Sequence, residues 1–424
     1  MHQVMFIFLF TTIMVGGFII SVFANTKQLD VAFNSDQYED MISKSLLSQG
    51  NNKRLKDVIE KAEKGEDITI AYIGGSITEG AGARPINTNC YAYQSYLKFK
   101  EIIRRSGEDN IHFLKAGIGG TPSQLGVIRY ERDVLRNRTV EPDIVIIEFA
   151  VNDDGDETKG VSYESLILKA LSEKNNPAVI LLFSVFENDW NLQSRLVPVG
   201  KHYDLPMVSV KDAVVPQFRL TKEQGNIITK KQFFDDPYHP SNDGHRVMAD
   251  CLAFLFKTAK DSTKNREDIV IHKEPIIGDF FKDAQLIDRK NVGEIARVEE
   301  GSFTLIDRDL HRVPIDTDSY GTPQFPHNWM RDPLASESSF KMTITSSSLV
   351  LIYKDTPNAG FGKTLIYVDG KHVRTADPRV NDWIHCNSMI LYREDEVKEH
   401  EIEIKMSPDD ASKSFTILGF GYTL

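Results

Sequence analysis

Two short segments of the 424-residue chain place residues of catalytic type beside predicted loops. In the first, the apolar run Ile68–Ile73 leads into Gly74, Gly75 and Ser76. Ligands bind at the carboxyl ends of the strands in an open parallel sheet, and glycines allow the sharp turn that would expose a serine hydroxyl there. The phosphate-binding patterns G-x-x-x-x-G-K-[ST] and G-x-G-x-x-G are missing from this segment. A plain strand–turn–helix connection is the alternative interpretation.

The second segment contains Asp236 and His239, three residues apart in a proline-containing loop. A turn of this length allows the carboxylate to bind Nδ1 of the imidazole, which leaves Nε2 free to take a proton. A helix N-cap beside a surface histidine is the alternative. His245 lies in the next predicted helix, which Ser241 or Asp243 would cap, and we interpret it as structural.

Two further segments could supply hydrogen-bond donors to a reacting oxygen. Asn152 follows the buried run Asp143–Phe149, and a donor amide at that place is worth about 3–4 kcal/mol to an oxyanion. The glycine-rich segment 115–126 could present backbone N–H groups. A turn-forming asparagine and a plain connection are the respective alternatives. The acidic run 153–157 lacks the spacing of a calcium loop, and we interpret it as a solvated loop.

The remaining pattern divides the chain into two kinds of structure. Continuous apolar runs alternate with helical periodicity from residue 68 to about 262, which indicates a parallel sheet covered by helices on both faces. From about residue 270, alternating runs predict an all-β module, with a hairpin turn at Asp369-Gly370. We expect a β-sandwich there. The domain boundaries that follow are 25–67 for a helical lead-in, 68–262 for the α/β domain and 263–424 for the sandwich.

The first 24 residues form a segment of their own. Met5–Ala24 contains no charged residue and is long enough to span a bilayer, so it predicts a cleaved signal peptide or a retained membrane anchor. A buried core helix is the less favoured alternative at a chain end. Either of the first two interpretations places the working domains outside the cytoplasm, secreted or at the cell surface.

Composition excludes several classes of function. The net charge of −11 comes without a basic stripe, so we expect no nucleic acid and no membrane contact beyond the possible anchor. Three scattered cysteines without a C-x-x-C pair predict neither a zinc site nor a disulfide framework, and Cys251 suits a buried position in a helix.

The order of these segments resembles the SGNH/GDSL hydrolase family. Gly74–Thr78 is similar to the first family block, with Gly75 in place of the common aspartate. Gly120 matches the glycine of the second block, Asn152 the asparagine of the third, and Asp236–Pro240 the whole of the fifth.

The resemblance covers residues 68–258. Ala150 stands in place of a family glycine, and Lys115 stands where many members have asparagine. These departures leave the catalytic set whole and bear on the shape of the pocket.

The resemblance implies a flavodoxin-like three-layer α/β/α domain that hydrolyses carboxylic esters without a metal or an organic cofactor. Ser76 would attack the ester carbonyl, His239 would act as base and then as acid, and Asp236 would orient the imidazole. The N–H groups of Ser76 and Gly120 and the side chain of Asn152 would form the oxyanion hole.

An SGNH domain outside the cytoplasm with an added β-module is similar to carbohydrate acetylesterases. We therefore predict removal of O-acetyl groups from a polysaccharide or oligosaccharide through an acyl-enzyme. Trp329, Trp383 and His385, together with Tyr320, could line a sugar-binding surface, and the sandwich core is the alternative for both tryptophans. A lysophospholipase or thioesterase is the second enzymatic hypothesis, and a non-catalytic glycan-binding surface protein belongs to a different class.

Overall fold

The computed structural model describes residues 30–103, 110–310, 312–313 and 322–424. The predicted signal peptide or anchor over residues 1–24 lies outside the described residues. Within the described part of the chain, no helix combines the length and apolarity needed to cross a membrane. All elements below belong to one compact unit, Ala32–Leu424.

A six-stranded sheet forms the centre of the α/β domain, in the order β1-β6-β5-β4-β2-β3. The strands are β1 (Leu46–Ser48), β2 (Ile68–Gly74), β3 (Ile111–Gly117), β4 (Ile144–Glu148), β5 (Ala178–Phe183) and β6 (Met207–Ser209). Strands β2 to β6 are parallel, and their order is that of flavodoxin-like folds, as expected. Strand β1 pairs antiparallel to β6 and adds an edge strand to the predicted helical lead-in.

Helices cover both faces of this sheet. Helices α2, α5 and α11 pack together, and α6 packs against α7. The periodicity that predicts α2 holds, since Leu55, Val58, Ile59 and Ala62 are all buried. The helices are α1 (Asp36–Ser43), α2 (Lys53–Glu63), α3 (Ser76–Glu79), α4 (Ile86–Asn89), α5 (Tyr91–Ile103), α6 (Ser123–Asp133), α7 (Val161–Leu171), α8 (Gln193–His202), α9 (Val210–Phe218), α10 (Lys230–Phe233) and α11 (Asn242–Asp261).

The C-terminal domain is built from antiparallel strands, as the alternating pattern predicts. Its strands are β7 (Gln285–Ile287), β8 (Ala296–Glu299), β9 (Arg312–Val313), β10 (Thr322–Pro323), β11 (Trp329–Met330), β12 (Phe340–Asp355), β13 (Thr364–Val368), β14 (Lys371–Ala376), β15 (His385–Met406) and β16 (Thr416–Thr423). Asp369 and Gly370, with φ of 51° and 75°, form the two-residue turn between β13 and β14.

Strands β12 and β15 are long enough to take part in both layers of the C-terminal domain. The first half of β12 pairs with β8 and the second half with β16, while β15 follows it along both halves through register shifts near Ser346–Ser348. Side chains from both halves, such as Ile344 and Leu351, meet in one buried cluster. The arrangement supports the predicted β-sandwich, although single strands continue from one layer to the other.

The two domains share a hydrophobic core. Alternate residues of β12, Val350 and Ile352, turn away from the sandwich interior and join the cluster of the α/β domain. Gly421 of β16 approaches α6 so closely that a Cβ atom there would lie 2.4 Å from Ile128 Cδ1. The carboxylate of Glu164 accepts hydrogen bonds from the N–H groups of residues 276–278, which tie the connecting segment to α7. The second domain is therefore packed onto the first.

Truncating a side chain in this shared core should destabilise the protein. We expect Ile352→Ala to lower the free energy of unfolding by about 2–5 kcal/mol, because it removes buried methyl groups and leaves a cavity. Urea denaturation measures the change, with Leu334→Ala, at a side chain that is 94% exposed, as the matched control. A loss below about 1 kcal/mol for Ile352→Ala would contradict the shared core.

Candidate active site

Ser76 is the first residue of α3 and lies directly after the carboxyl end of β2. The two glycines before it allow very close packing. A Cβ at Gly74 would lie 2.1 Å from Thr78 Oγ1, and one at Gly75 would lie 2.3 Å from Asn152 Oδ1. In this chain the glycine that replaces the common family aspartate therefore makes room for Asn152.

The structure brings Ser76, His239 and Asp236 together. Ser76 Oγ lies 2.9 Å from His239 Nε2, and His239 Nδ1 lies 2.7 Å from Asp236 Oδ2. In the tautomer with the proton on Nδ1, the imidazole donates to Asp236 and accepts from the serine hydroxyl. This chain of hydrogen bonds can move a proton from the serine oxygen to the imidazole.

Asp236 is held by its own loop. Its Oδ1 accepts the N–H groups of Tyr238 and His239, at 2.8 and 2.9 Å. Partial burial alone would raise the pKa of Asp236, but these hydrogen bonds and the adjacent imidazole outweigh it and keep that pKa below its usual value. The carboxylate thus stays ionised and orients the ring.

Close backbone packing fixes the His239 loop against the segment after Ser76. A Cβ at Gly82 would lie 2.1 Å from the carbonyl oxygen of Pro240. Arg84 forms two hydrogen bonds with the carboxylate of Asp235, and its N–H donates to Asn242 Oδ1. These contacts set the distance between the serine and the histidine.

His245 supports the same junction from the interior. Its Nδ1 accepts the N–H of Tyr91, and its Nε2 donates to the carbonyl of Ala81. Burial lowers the pKa of His245 to about 4, so the ring is neutral. It lies in α11, which Ser241 caps by accepting the N–H of Gly244, and both observations agree with its structural interpretation.

Gly120 and Asn152 lie at the same edge of the sheet, after β3 and β4 respectively. Gly120 has a φ of 69°, which a glycine adopts without strain. The N–H of the preceding Gly119 donates to the carboxylate of Glu79. Burial raises the pKa of Glu79 to about 7, while this hydrogen bond and the charges of Lys115 and Arg129 oppose the shift.

Two more carboxyl groups lie beneath the site. Burial raises the pKa of Glu148 to about 7, against hydrogen bonds from Ser184, Thr78 and the N–H of Ala150. Burial and the charge of Asp156 raise the pKa of Asp153 to about 8.

The interpretation of residues 153–157 as a solvated loop holds for Asp154 and Glu157, which are exposed, and is wrong for Asp153 and Asp156. Both of these side chains are fully buried, and hydrogen bonds satisfy their carboxylates: Asp153 accepts the N–H and the hydroxyl of Ser123, and Asp156 accepts the N–H of Thr158 and Gly160. Sequence reasoning also missed Glu79 and Glu148. The one available signal was the position of Glu79, three residues after Ser76 on the same short helix.

The aromatic residues proposed for sugar binding separate into two groups. Trp383 is 44% exposed, stacks on His385 with ring centroids 4.2 Å apart, and covers Gly120. His385 itself is buried beneath the indole. The predicted sugar-binding role of Trp329 is wrong. Its side chain is fully buried in the sandwich against Phe340 and cannot contact a substrate. Tyr320 lies outside the described residues.

Metal ligands are not grouped in this structure: the described residues contain no cluster of three or more histidine, cysteine or acidic side chains placed to hold an ion. A flavodoxin-like sheet that carries a hydrogen-bonded Ser–His–Asp set at its carboxyl edge is typical of serine ester hydrolases.

Comparison with known proteins supports this class. Residues 72–247 match the model of the GDSL-like lipase/acylhydrolase family. A crystal structure of a two-domain esterase (CEX) active on acetylated mannans is 26% identical, covers 90% of this chain and 98% of its own, and has a TM-score of 0.77. A structure of such an esterase co-crystallised with mannopentaose is also 26% identical, covers 90% of this chain and 97% of its own, and has a TM-score of 0.75. No curated protein sequence matches the chain.

These findings confirm the resemblance that the motifs suggested and extend the structural similarity into the second domain. The protein is a carboxylic ester hydrolase with a GDSL-like hydrolase domain and a C-terminal β-domain.

The buried Glu148 makes a pH-dependent contribution to stability. Its pKa is about 7 in the folded protein against an ordinary 4.5, so between these values the folded protein keeps a proton that the unfolded chain has lost. The contribution of Glu148 to the free energy of unfolding therefore falls as the pH rises from 4.5 to about 7, by about 3 kcal/mol.

Glu148→Gln stays neutral and should gain stability relative to the wild type by up to that amount between pH 4.5 and pH 8. Urea denaturation at both pH values measures the gain, and the exposed neighbour Asp154→Asn is the control. An equal effect of Glu148→Gln at both pH values would show that folding does not raise the pKa of Glu148.

Proposed function

We propose that the protein removes O-acetyl groups from a polysaccharide or oligosaccharide by a serine esterase mechanism. One observation carries the proposal: the Ser76–His239–Asp236 hydrogen-bond chain lies at the same edge of the sheet as Gly120, which an exposed tryptophan of the second domain covers. A two-domain esterase active on acetylated mannans aligns with 90% of this chain, which supports the same class of substrate.

The first half of the reaction transfers the acetyl group to the enzyme. His239 Nε2 takes the proton of Ser76 Oγ as that oxygen attacks the ester carbonyl, and the developing oxyanion accepts hydrogen bonds. The N–H groups of Ser76 and Gly120 and the side-chain amide of Asn152 are the donors that we assign. When the tetrahedral intermediate collapses, the imidazolium gives its proton to the leaving sugar hydroxyl.

The second half regenerates the enzyme. Water attacks the acetyl ester of Ser76, His239 takes a proton from that water, and acetate leaves as the proton returns to the serine oxygen. Asp236 keeps the imidazole in the required tautomer and stabilises its charged form in both halves.

Aromatic side chains flank the reacting groups on two sides, which suits a glycan. Trp383 lies on the side of Gly120. On the side of His239, Tyr238 is 57% exposed and packs edge-on against Phe186, which stacks on Trp190. Aromatic faces offer large apolar contact areas to the C–H faces of sugar rings. The apolar run over residues 5–24 supports the further proposal that the enzyme works outside the cytoplasm, where such polymers are accessible.

The substrate class can be tested with esters of increasing chain length and with an acetylated oligosaccharide. We expect a preference for nitrophenyl acetate over the butyrate and octanoate, and release of acetate from acetylated mannan oligosaccharides, measured by enzymatic acetate assay. Ser76→Ala should lower both activities by at least about 10³-fold, because it removes the nucleophile. Ser194→Ala, an exposed serine of α8, is the matched control.

The outcomes separate the hypotheses. A preference for octanoate would favour the lysophospholipase or thioesterase hypothesis. Acetate release that persists in Ser76→Ala would refute the assignment of the nucleophile.

A further inference from the structure

The glycine turn that follows β3 lies between two side chains from different domains. A Cβ at Gly119 would lie 2.9 Å from Glu79 Oε2 and 3.7 Å from Trp383 Cζ3. A Cβ at Gly120 would lie only 2.6 Å from Trp383 Cη2. The turn is thus enclosed by a carboxylate of the α/β domain and an indole of the β-domain.

Glu79 ties this turn to the segment that carries Ser76. Its carboxylate accepts the N–H of Gly119, and its own carbonyl oxygen accepts a hydrogen bond of 2.8 Å from Lys115 Nζ on β3. A Cβ at Gly117 would lie 2.1 Å from the backbone nitrogen of Glu79, so helix α3 rests directly on the end of β3. The serine and the glycine turn therefore share one rigid base.

Trp383 is fixed by the β-domain from the other side. Its ring is nearly parallel to that of His385, with an interplanar angle of 14°. The imidazole Nε2 of His385 lies 3.8 Å from Asp355 Oδ2, at the last residue of β12. The same carboxylate accepts Asn381 Nδ2 at 2.6 Å and the N–H of Val380 at 3.1 Å. The loop that carries the indole is thereby attached to the sandwich.

We propose that Trp383 is a positioning residue for ester hydrolysis itself. Together with Glu79 it holds the Gly119–Gly120 turn in the conformation from which the Gly120 N–H can reach an oxyanion. Two consecutive glycines have more backbone freedom than any other pair, and an oxyanion donor is effective only when it is already in place. This inference rests on the proposed role of Gly120, and it gives the β-domain a part in the chemistry in addition to sugar binding.

A substrate without a sugar separates positioning from sugar binding. We expect Trp383→Ala to lower kcat for nitrophenyl acetate about tenfold or more, with KM changed by less than about threefold. Removing an oxyanion donor outright costs about 10²–10³ in kcat, and a loosened donor should cost part of that. Trp383→Phe keeps an aromatic ring over the turn and should recover most of the lost rate.

Matched variants test the two sides of the turn. Val380→Ala changes an exposed side chain of the same loop and should leave kcat unchanged. Glu79→Ala should lower kcat as Trp383→Ala does, whereas Glu79→Gln keeps an oxygen acceptor for the Gly119 N–H and should retain most of the activity. Since both residues act on one turn, the double variant Glu79→Ala/Trp383→Ala should lose less than the product of the single losses.

An unchanged kcat for nitrophenyl acetate in Trp383→Ala, with a raised KM for the acetylated oligosaccharide, would overturn the inference and leave the indole as a sugar-binding surface alone. Thermal unfolding of each variant shows whether the fold is kept. The proposed substrate class is refuted separately, by a wild type that releases no acetate from glycans. In that case a fall in kcat for nitrophenyl acetate in Trp383→Ala would still support the positioning role of Trp383.

Discussion

The hydrogen bond between Ser76 Oγ and His239 Nε2 joins two residues that are 163 positions apart in the chain. Its length of 2.9 Å depends on backbones that pack without intervening side chains. Gly82 meets the carbonyl of Pro240, and a Cβ at Gly244 would lie 2.1 Å from the carbonyl of Phe233. Any side chain at Gly82 would push the histidine loop outward, so the reactivity of the serine is a consequence of close backbone contact.

A buried arginine supports the same edge of the sheet from below. Arg129 of α6 donates to the carbonyl oxygens of Gly74 and Ala116, near the ends of β2 and β3, and pairs with Asp133 at 3.0 Å. The carbonyl of Gly74 also accepts the N–H of Ile118, so the guanidinium adds a second hydrogen bond at the point where β2 gives way to a turn. Burial lowers the pKa of Arg129, while Asp133 opposes the shift. The charge is thus kept where it holds both strand ends.

Several features could be predicted from the sequence because they follow local rules. Runs of apolar residues with intervening helices specify a parallel sheet, and the carboxyl ends of its strands must converge, which brings Ser76 and Asn152 to one edge. The Asp-x-x-His spacing allows a local hydrogen bond between Asp236 and His239. The Asp369-Gly370 pair likewise forms a local turn.

Other features depend on partners that are distant in sequence. The local sequence predicts that Asp153 lies at the surface. In the structure its carboxylate accepts hydrogen bonds from Ser123, which is 30 positions earlier in the chain. Trp329 and Trp383 have the same side chain, and only the tertiary fold buries one in the sandwich and places the other over Gly120. Strand β1 is three residues long, which is too short for a periodic pattern, and its pairing with β6 defines it.

The domain contact places a side chain of the β-domain, Trp383, over the glycine turn of the α/β domain. The shared core around Ile352 fixes the sandwich against α6 and α7, and the loop of Trp383 extends from that fixed body to the glycine turn. The position of Trp383 is well defined because its loop is attached to the strands of the sandwich.

Ser76 is the nucleophile in the proposed mechanism, and covalent trapping tests its identity directly. The full-length protein should be treated with a fluorophosphonate and the adduct located by peptide mass spectrometry. We predict a single modified residue, Ser76, with labelling that is lost in His239→Ala and slowed by an acetylated mannan oligosaccharide. A modified residue elsewhere, or full esterase activity after Ser76 has been labelled, would contradict the assignment of Ser76 as the nucleophile.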